Sequence, residues 1–318
     1  MDPRTIRSLR AKLTRWYDRA KRNLPWRRTR DPYAIWISEV MLQQTRVAAV
    51  IPYYERFLRR FPNPAALAQA PERELLAMWS GLGYYSRARN LQKGARLIVE
   101  RGGFPQDYTS LLELAGVGAY TAAAIASISF GLPHAVVDGN VRRVLTRLVN
   151  DGRADAPEIA DRLLDRSNPA RWNQAVMELG ATICLPREPR CDDCPIAAHC
   201  AARLAGTEKD LPLKKAKAAT EHHQCTLLVI RRNGRMLLTP SPLVIGFWDL
   251  PEPFPGARTG PPIGEFTHTI THRHYRFTVR EATALGVPKA ARWHTEKQLA
   301  EIPLSTTARK ALRIYNAL

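Results

Sequence analysis

Four of the five cysteines in the 318-residue chain fall within 17 residues, at Cys184, Cys191, Cys194 and Cys200, with the spacing C-x6-C-x2-C-x5-C. Four thiols so close together call for a cation or a covalent partner. The chain is basic and shows no signal-peptide core, so a cytosolic, reducing setting is expected, where disulfides are rare. Zinc and iron–sulfur clusters can each be held by four thiolates. Zinc ribbons and fingers usually bring two short C-x2-C knuckles separated by a longer arm. Here one close pair is flanked by middling gaps, a pattern that favours a cluster over zinc. Four buried free thiols are the plain alternative.

A second constellation is Leu114-Ala115-Gly116-Val117-Gly118-Ala119-Tyr120-Thr121, between two helical segments. Gly-x-Gly in a tight interhelical turn exposes backbone N–H groups, and the positive end of the second helix adds to them. Together they make a seat for a phosphate oxygen. Two glycines alone fit any helix–helix turn. In a chain of net charge +19 with a thiol cluster downstream, the segment resembles a helix-hairpin-helix DNA-binding element. Further on, Val136-Val137-Asp138-Gly139-Asn140-Val141 sets an acid between an apolar run and a helix. That carboxylate can cap the helix and face a cleft, or simply cap it.

These groups need a scaffold. The chain has 48 Lys+Arg against 29 Asp+Glu, and its first 30 residues hold eleven basic residues beside Asp2 and Asp18. Basic patches neutralise phosphates and release counterions, so nucleic acid is the expected partner, ahead of an anionic lipid surface. A hydrophobic content of 45% and a charged content of 24% are those of a globular protein with room for two or three cores. No apolar run is long enough for a membrane-spanning helix. Asp31-Pro32 marks a helix start, continued from Tyr33 to Leu42, and Thr45 is placed to cap a second helix through Phe57. Further helices are expected at Glu72–Trp79, Ser86–Arg101, Ser110–Leu114, Thr121–Ser129, Asn140–Val149 and Arg171–Gly180. Short helices without βαβ alternation indicate an all-α unit. After a polar linker the character changes. A strand is expected at Cys225–Ile230, with Met236–Thr239 pairing back across an Asn233-Gly234 turn, and another at Tyr275–Glu281. A helix capped by Ser305 runs to Tyr315, completing a separate α+β domain.

In this order the pieces resemble the endonuclease III superfamily of base-excision DNA glycosylases, which couples a hairpin, a following Asp and a C-x6-C-x2-C-x5-C loop. Within it the chain resembles the MutY-type, adenine-specific branch. The text that carries this is Leu24-Pro25-Trp26-Arg27, then Trp36-Ile37-Ser38-Glu39-Val40-Met41-Leu42-Gln43-Gln44-Thr45, then Gly81-Leu82-Gly83-Tyr84-Tyr85-Ser86-Arg87-Ala88-Arg89-Asn90-Leu91. The match is dense over residues 10–200 and weaker over the tail. It implies a mainly α, two-lobed helix-hairpin-helix DNA glycosylase with a [4Fe–4S] cluster on the four cysteines, plus a C-terminal α+β Nudix-like domain. The implied bounds are 1–205 for the catalytic region, 206–222 for the linker and 223–318 for the recognition domain. A six-helix lobe would span about 26–137, and an iron–sulfur lobe 1–25 with 138–205. The implied partner is double-stranded DNA with adenine opposite 8-oxoguanine or guanine. The implied enzyme is a cytoplasmic monomer, nucleoid-associated if bacterial, with no membrane role.

A base inside a duplex must be flipped out before it can be cut. Breaking its N-glycosidic bond then passes through an oxocarbenium-like transition state that calls for two carboxyls, one protonated and one ionised. By resemblance Glu39 is the general acid. Its apolar helix neighbours Trp36, Ile37, Val40 and Leu42 suit a raised pKa. Asp138 is the carboxylate facing the sugar, and Asn140 holds the catalytic water or Asp138. Bifunctional relatives carry a lysine where Tyr120 stands; a phenol forms no Schiff base, so the implied enzyme is monofunctional and leaves an abasic site. Trp26, Arg27, Leu42 and Glu178 are implied as the adenine pocket, Gln44 and Tyr84 as residues wedged into the base stack, and Gly116, Val117 and Gly118 as the hairpin's DNA contact.

In the tail, Gly246-Phe247-Trp248-Asp249-Leu250-Pro251 is similar to Nudix text, but no acidic metal-binding helix accompanies it. The domain therefore reads as a binding module, with Thr271 and His272 as the implied 8-oxoguanine contacts. Ile270 stands where the family's recognition loop has phenylalanine, which removes an aromatic wedge. The rival readings are an endonuclease III-type lyase, a non-catalytic iron–sulfur DNA-binding protein and a nucleotide-pool hydrolase.

Overall fold

The computed structural model describes residues 1–213, 220–270 and 272–317. Thr271 lies outside the described residues. The chain divides into two compact units, Met1–Ala68 with Asn90–Lys215, and Gln69–Arg89 with Ala216–Leu318. Among the described residues no helix is long and apolar enough to cross a membrane.

The helices are α1 (Pro3–Ala20), α2 (Pro32–Leu42), α3 (Val47–Arg60), α4 (Pro64–Gln69), α5 (Glu72–Trp79), α6 (Ser86–Glu100), α7 (Tyr108–Leu112), α8 (Ala119–Phe130), α9 (Gly139–Val149), α10 (Ala156–Leu163), α11 (Pro169–Thr182) and α12 (Ala201–Ala205). Two of them, α2 and α8, are buried on nearly every side. Every residue from Tyr33 to Met41 is buried, as is every residue from Thr121 to Ile128. Helices apolar all round belong in a core, and these two pack on each other. The first unit is arranged around them, with α3 on α2, and α11 touching α1, α8 and α9.

Local chemistry sets the ends of these helices. Asp31 caps α2, accepting from Tyr33 N at 3.1 Å and Ala34 N at 3.2 Å, with Pro32 at the first position, where its missing N–H costs nothing. Gly131 ends α8 in the left-handed region (φ +69°), its N–H bonded to Ala126 O and Ser127 O. The expected Thr45 cap is absent: Arg46 precedes α3 with no side-chain cap, and the Thr45 hydroxyl donates instead to Gln43 O at 3.2 Å. Gln44 takes φ +57° in this tight link, which turns Thr45 away from the helix start. Helices α1, α4, α10 and α12 lie where the sequence reading placed none. The first, α1, buries Leu9, Leu13 and Tyr17 on one stripe, and α10 is capped by Asp155.

The second unit contains β1 (Glu221–Val229), β2 (Arg231–Arg232), β3 (Arg235–Pro240), β4 (Trp248–Asp249), β5 (Ala257–Ile270), β6 (Arg273–Ala284) and β7 (Arg292–Thr295), then α13 (Glu296–Glu301) and α14 (Thr306–Tyr315). Asn233 (φ +49°) and Gly234 (φ +71°) make the expected tight turn. The strand before that turn pairs differently from expectation. Only Arg231–Arg232 pairs back on β3, while β1 runs parallel to β6, from Glu221 opposite Arg273 to Val229 opposite Glu281. The cause is burial: Leu227, Val229, Phe277 and Val279 share one apolar cluster with Ala308 and Ala311 of α14. Ser305 caps α14 as expected, accepting from Ala308 N at 2.8 Å. Residues 69–89 belong to this unit, with Tyr85 against Phe247 (3.8 Å between ring centroids) and Ser80 Oγ donating to Leu304 O.

Candidate active site

A cavity of about 740 Å³ opens in the first unit between α2, α8, α11 and the start of α9. Its lining includes Trp26, Arg27, Glu39, Leu42, Gln44, Tyr120, Asp138, Asn140 and Glu178. Nine residues singled out in the sequence thus share one wall. Tyr84 is not among them. It lies in the other unit, 49% exposed, at φ +47°, with the Arg87 guanidinium 5.6 Å from its ring centroid.

The two central helices supply the chemical pair. Glu39 sits near the end of α2, only 6% exposed. Tyr120, in the first turn of α8, donates its hydroxyl to Glu39 Oε2 at 2.6 Å. Burial pushes the Glu39 carboxyl up to about 7. The Tyr120 bond opposes this, the Asp138 charge adds to it, and Arg27 opposes it. Burial and the neighbouring carboxylates raise the Tyr120 phenol well above its ordinary value, so it stays a donor. Its hydroxyl also lies 3.5 Å from Met177 Sδ.

Asp138 caps α9, accepting from Val141 N at 2.6 Å through Oδ1 and from Asn140 Nδ2 at 3.0 Å through Oδ2. Capping and facing the cavity are therefore one arrangement. Asn140 is held in turn: its Oδ1 accepts from Arg143 Nη2 at 2.9 Å, and Arg143 also donates to Gly180 O and Cys184 O, each at 2.8 Å. The aspartate is thereby tied to the cysteine loop through two side chains.

Glu178, on α11, is fully buried. It accepts from Arg22 N and Nε at 2.9 Å, Arg22 Nη2 at 2.7 Å and Arg27 Nη2 at 2.7 Å. Burial alone would raise this carboxyl, but the two guanidiniums and the backbone N–H outweigh it and hold it at about 2. Arg22 was missed in the sequence because it lies within the basic N-terminal run, whose charge was attributed to DNA as a whole.

In the hairpin, Gly116 has φ +78°, and a Cβ there would meet the Asn90 side chain at 2.9 Å. Only glycine fits. Val117 is buried and its N–H is used by Leu114 O at 3.0 Å. Gly118 precedes α8 in an extended conformation with open space around it, so what this turn offers a phosphate is the start of α8.

Cys184, Cys191, Cys194 and Cys200 line a second, small cavity together with Arg147, Arg190 and Arg203. Among the described residues no three Cys, His, Asp or Glu side chains are drawn together as a single metal ion would hold them. Burial pushes the Cys194 thiol up to about 12 and raises Cys191 and Cys200, with the other thiols adding to each shift. Arg147 Nη1 donates to Cys184 Sγ at 3.3 Å. Four thiols lining one cavity beside arginines have the chemistry of a group held by thiolates. Arg190 donates to Thr182 O at 2.5 Å and, like Arg187, is exposed. Cys225 lies in β1 against the C-terminal core.

In the second unit His272 lies where β5 gives way to β6, with Nε2 3.2 Å from Glu221 Oε1. Glu221 also accepts from Arg273 Nε at 2.9 Å. Ile270 packs against the domain's apolar cluster, an inward role suited to an aliphatic side chain.

Comparison with known proteins gives consistent matches. A family model described as HhH-GPD superfamily base excision DNA repair protein matches residues 37–169. The human adenine DNA glycosylase is 33% identical over 410 residues, covering 99% of this chain and 75% of that protein. The adenine DNA glycosylase of Mycolicibacterium smegmatis is 43% identical over 204 residues, 61% of this chain and 69% of that protein. Among solved structures, a thermostable thymine-DNA glycosylase superposes with TM-score 0.60 and 28% identity over 64% of this chain and 98% of its own. Endonuclease III in a non-covalent DNA complex does so with TM-score 0.58 and 24% identity over 66% of this chain and 100% of its own.

Proposed function

Because the chain belongs to the adenine DNA glycosylase family within the endonuclease III superfamily, we propose that it is a monofunctional DNA N-glycosylase. On this reading it flips adenine out of a mispair with 8-oxoguanine or guanine and hydrolyses its bond to the sugar, leaving an abasic site for base excision repair. The observation that carries the reading is the pair formed by Glu39 and Tyr120 in a cavity also lined by Asp138.

The flipped adenine enters the 740 Å³ cavity beside Trp26, Leu42 and the Arg27–Glu178 pair. Glu39, with a carboxyl near 7, begins protonated on much of the enzyme at neutral pH and gives its proton to the leaving base. As the C–N bond stretches, positive charge grows on the sugar, and the Asp138 carboxylate, fixed by Asn140 and Val141 N, stabilises it. Glu39, now ionised and held by the Tyr120 hydroxyl, takes a proton from the attacking water. No amine stands at position 120, so no imine forms with the sugar and the strand is not cut. Gln44 and Tyr84 would enter the base stack, while Gly116, Val117 and Gly118 guide a phosphate to the start of α8.

The four cysteines fit a [4Fe–4S] cluster, which ties down their loop and supplies no reagent to a hydrolysis that moves no electrons. The lobes proposed for the catalytic region are residues 26–137 and 1–25 with 138–205. The 223–318 region is proposed as a Nudix-like module that reads 8-oxoguanine through Thr271 and His272. The working species is a cytoplasmic monomer on duplex DNA.

Glu39→Gln tests the reading. The amide cannot deliver the proton, so base release should fall at least a thousand-fold, roughly the worth of a positioned acid, while duplex binding is retained. Undiminished release would remove Glu39 from the mechanism.

A further inference from the structure

We propose that Met177 is a positioning residue for base release, because its thioether gives the Tyr120 hydroxyl a second acceptor while Glu39 carries its proton. The proposal rests on the reading of Glu39 as the general acid.

The argument is an inventory of protons. Tyr120 has one hydroxyl proton, and two acceptors lie within its reach: Glu39 Oε2 at 2.6 Å and Met177 Sδ at 3.5 Å. When Glu39 is ionised, Tyr120 donates to it, because a carboxylate is a far stronger acceptor than a thioether. When Glu39 is protonated on Oε2, that oxygen donates. Two hydroxyl protons then meet head to head across 2.6 Å unless the Tyr120 proton turns elsewhere. Met177 supplies the place to turn. Tyr120 then accepts from Glu39 through its oxygen and donates to sulfur. After Glu39 has given its proton to adenine, the Tyr120 hydroxyl swings back and stabilises the new carboxylate. Tyrosine keeps its own proton throughout, and the only proton that leaves passes from Glu39 to the base.

The surroundings favour this exchange. Met177 lies one residue before Glu178 on α11 and lines the cavity, half-buried. Its neighbour on the chain is occupied elsewhere, with Glu178 clamped by Arg22 and Arg27. The other charged groups facing Glu39 are Asp138 from the start of α9 and Arg27 from the 25–27 turn. Neither exchanges a proton with Tyr120. An apolar side chain at 177 would leave Tyr120 with the carboxyl as its acceptor on this side, which favours the ionised form of Glu39 and works against a general acid.

The test is single-turnover adenine release from a duplex with adenine opposite 8-oxoguanine, measured from about pH 5 to about pH 9, on wild type, Met177→Leu, Met177→Gln and Glu39→Gln. Leucine keeps the volume and removes the acceptor, whereas glutamine keeps an acceptor at similar reach. Met177→Leu should move the alkaline limb down by about half a pH unit, a roughly three-fold loss on the alkaline side with the acidic plateau retained. Met177→Gln should keep the wild-type midpoint. An unchanged or raised midpoint in Met177→Leu overturns the proposal, including when its rate falls equally at every pH, since that is the signature of packing alone. Binding to a duplex with an uncleavable fluorinated deoxyadenosine identifies any variant that has lost its fold, and the glutamine variant then decides by its midpoint. Adenine release by Glu39→Gln at the wild-type rate defeats the underlying general-acid reading, whatever Met177 does.

Discussion

The Tyr120 hydroxyl donates to Glu39 Oε2 at 2.6 Å, joining the two central helices α2 and α8 at the point where both reach the cavity. This bond works against burial, because it favours the ionised form of a carboxyl that burial drives up to about 7. The active form is the protonated one, so base release should decline as pH rises through about 7. Tyr120→Phe removes a bond to the charged form, and the midpoint should move upward. The plateau should fall about ten-fold, because the carboxylate formed on proton transfer loses its donor. A pH series of single-turnover rates checks both effects.

The same burial has a consequence for stability. The folded-state carboxyl of Glu39 lies above the ordinary value of 4.5, so the folded protein holds a proton that the unfolded chain has released. Its destabilising effect is absent below 4.5 and grows as pH rises through about 7. Glu39→Gln should therefore melt higher than wild type at about pH 8 and approach it in acid. Thermal melts at the two pH values check this.

Glu178 has the opposite sign. Held at about 2 by Arg22 and Arg27 against an ordinary 4.5, it contributes stability that is present above 4.5 and lost as pH falls toward about 2. Glu178→Gln leaves two guanidiniums without their anion and should cost about 3 kcal/mol in denaturant unfolding. Below about pH 3 the difference from wild type should shrink.

Gly180 bears on catalysis through packing. A Cβ there would stand 2.8 Å from Asn140 Cβ and 3.1 Å from Asn140 O, which forces Asn140, and with it Asp138, to shift. Gly180→Ala should lower base release by at least about ten-fold with a smaller effect on duplex binding, as an ångström-scale displacement of a reacting group does.

The cysteine loop yields a compositional prediction. Purified protein should carry iron and acid-labile sulfide in equal amounts, about four of each per chain, with little zinc. Cys194→Ser should lose the visible absorbance of the cluster.

Much of this was legible in the chain, for identifiable reasons. Glu39 lies on a helix so uniformly apolar that its burial could be read from the neighbouring residues. Asp138 announces itself as a cap, since an acid before a helix serves that role whatever else it does. Other features were concealed. The apolar stripe of Leu9, Leu13 and Tyr17 is diluted by six basic residues in α1. Arg22 is one cation among many until Glu178 is brought to it from 156 residues away. The parallel pairing of β1 with β6 depends on partners some fifty residues apart, which strand propensity does not encode. Thr45 misled because a good capping residue is of no use when the preceding turn points it elsewhere.

The most direct test of the account is single-turnover base release from duplexes carrying adenine opposite 8-oxoguanine, adenine opposite guanine, or thymine glycol, each reaction divided and analysed with and without alkali. The account predicts that free adenine is released from the first two, with strand breaks appearing only after alkali. Strand breaks without alkali on thymine glycol, with adenine untouched, would contradict it and assign the chain to the lyase branch despite Tyr120.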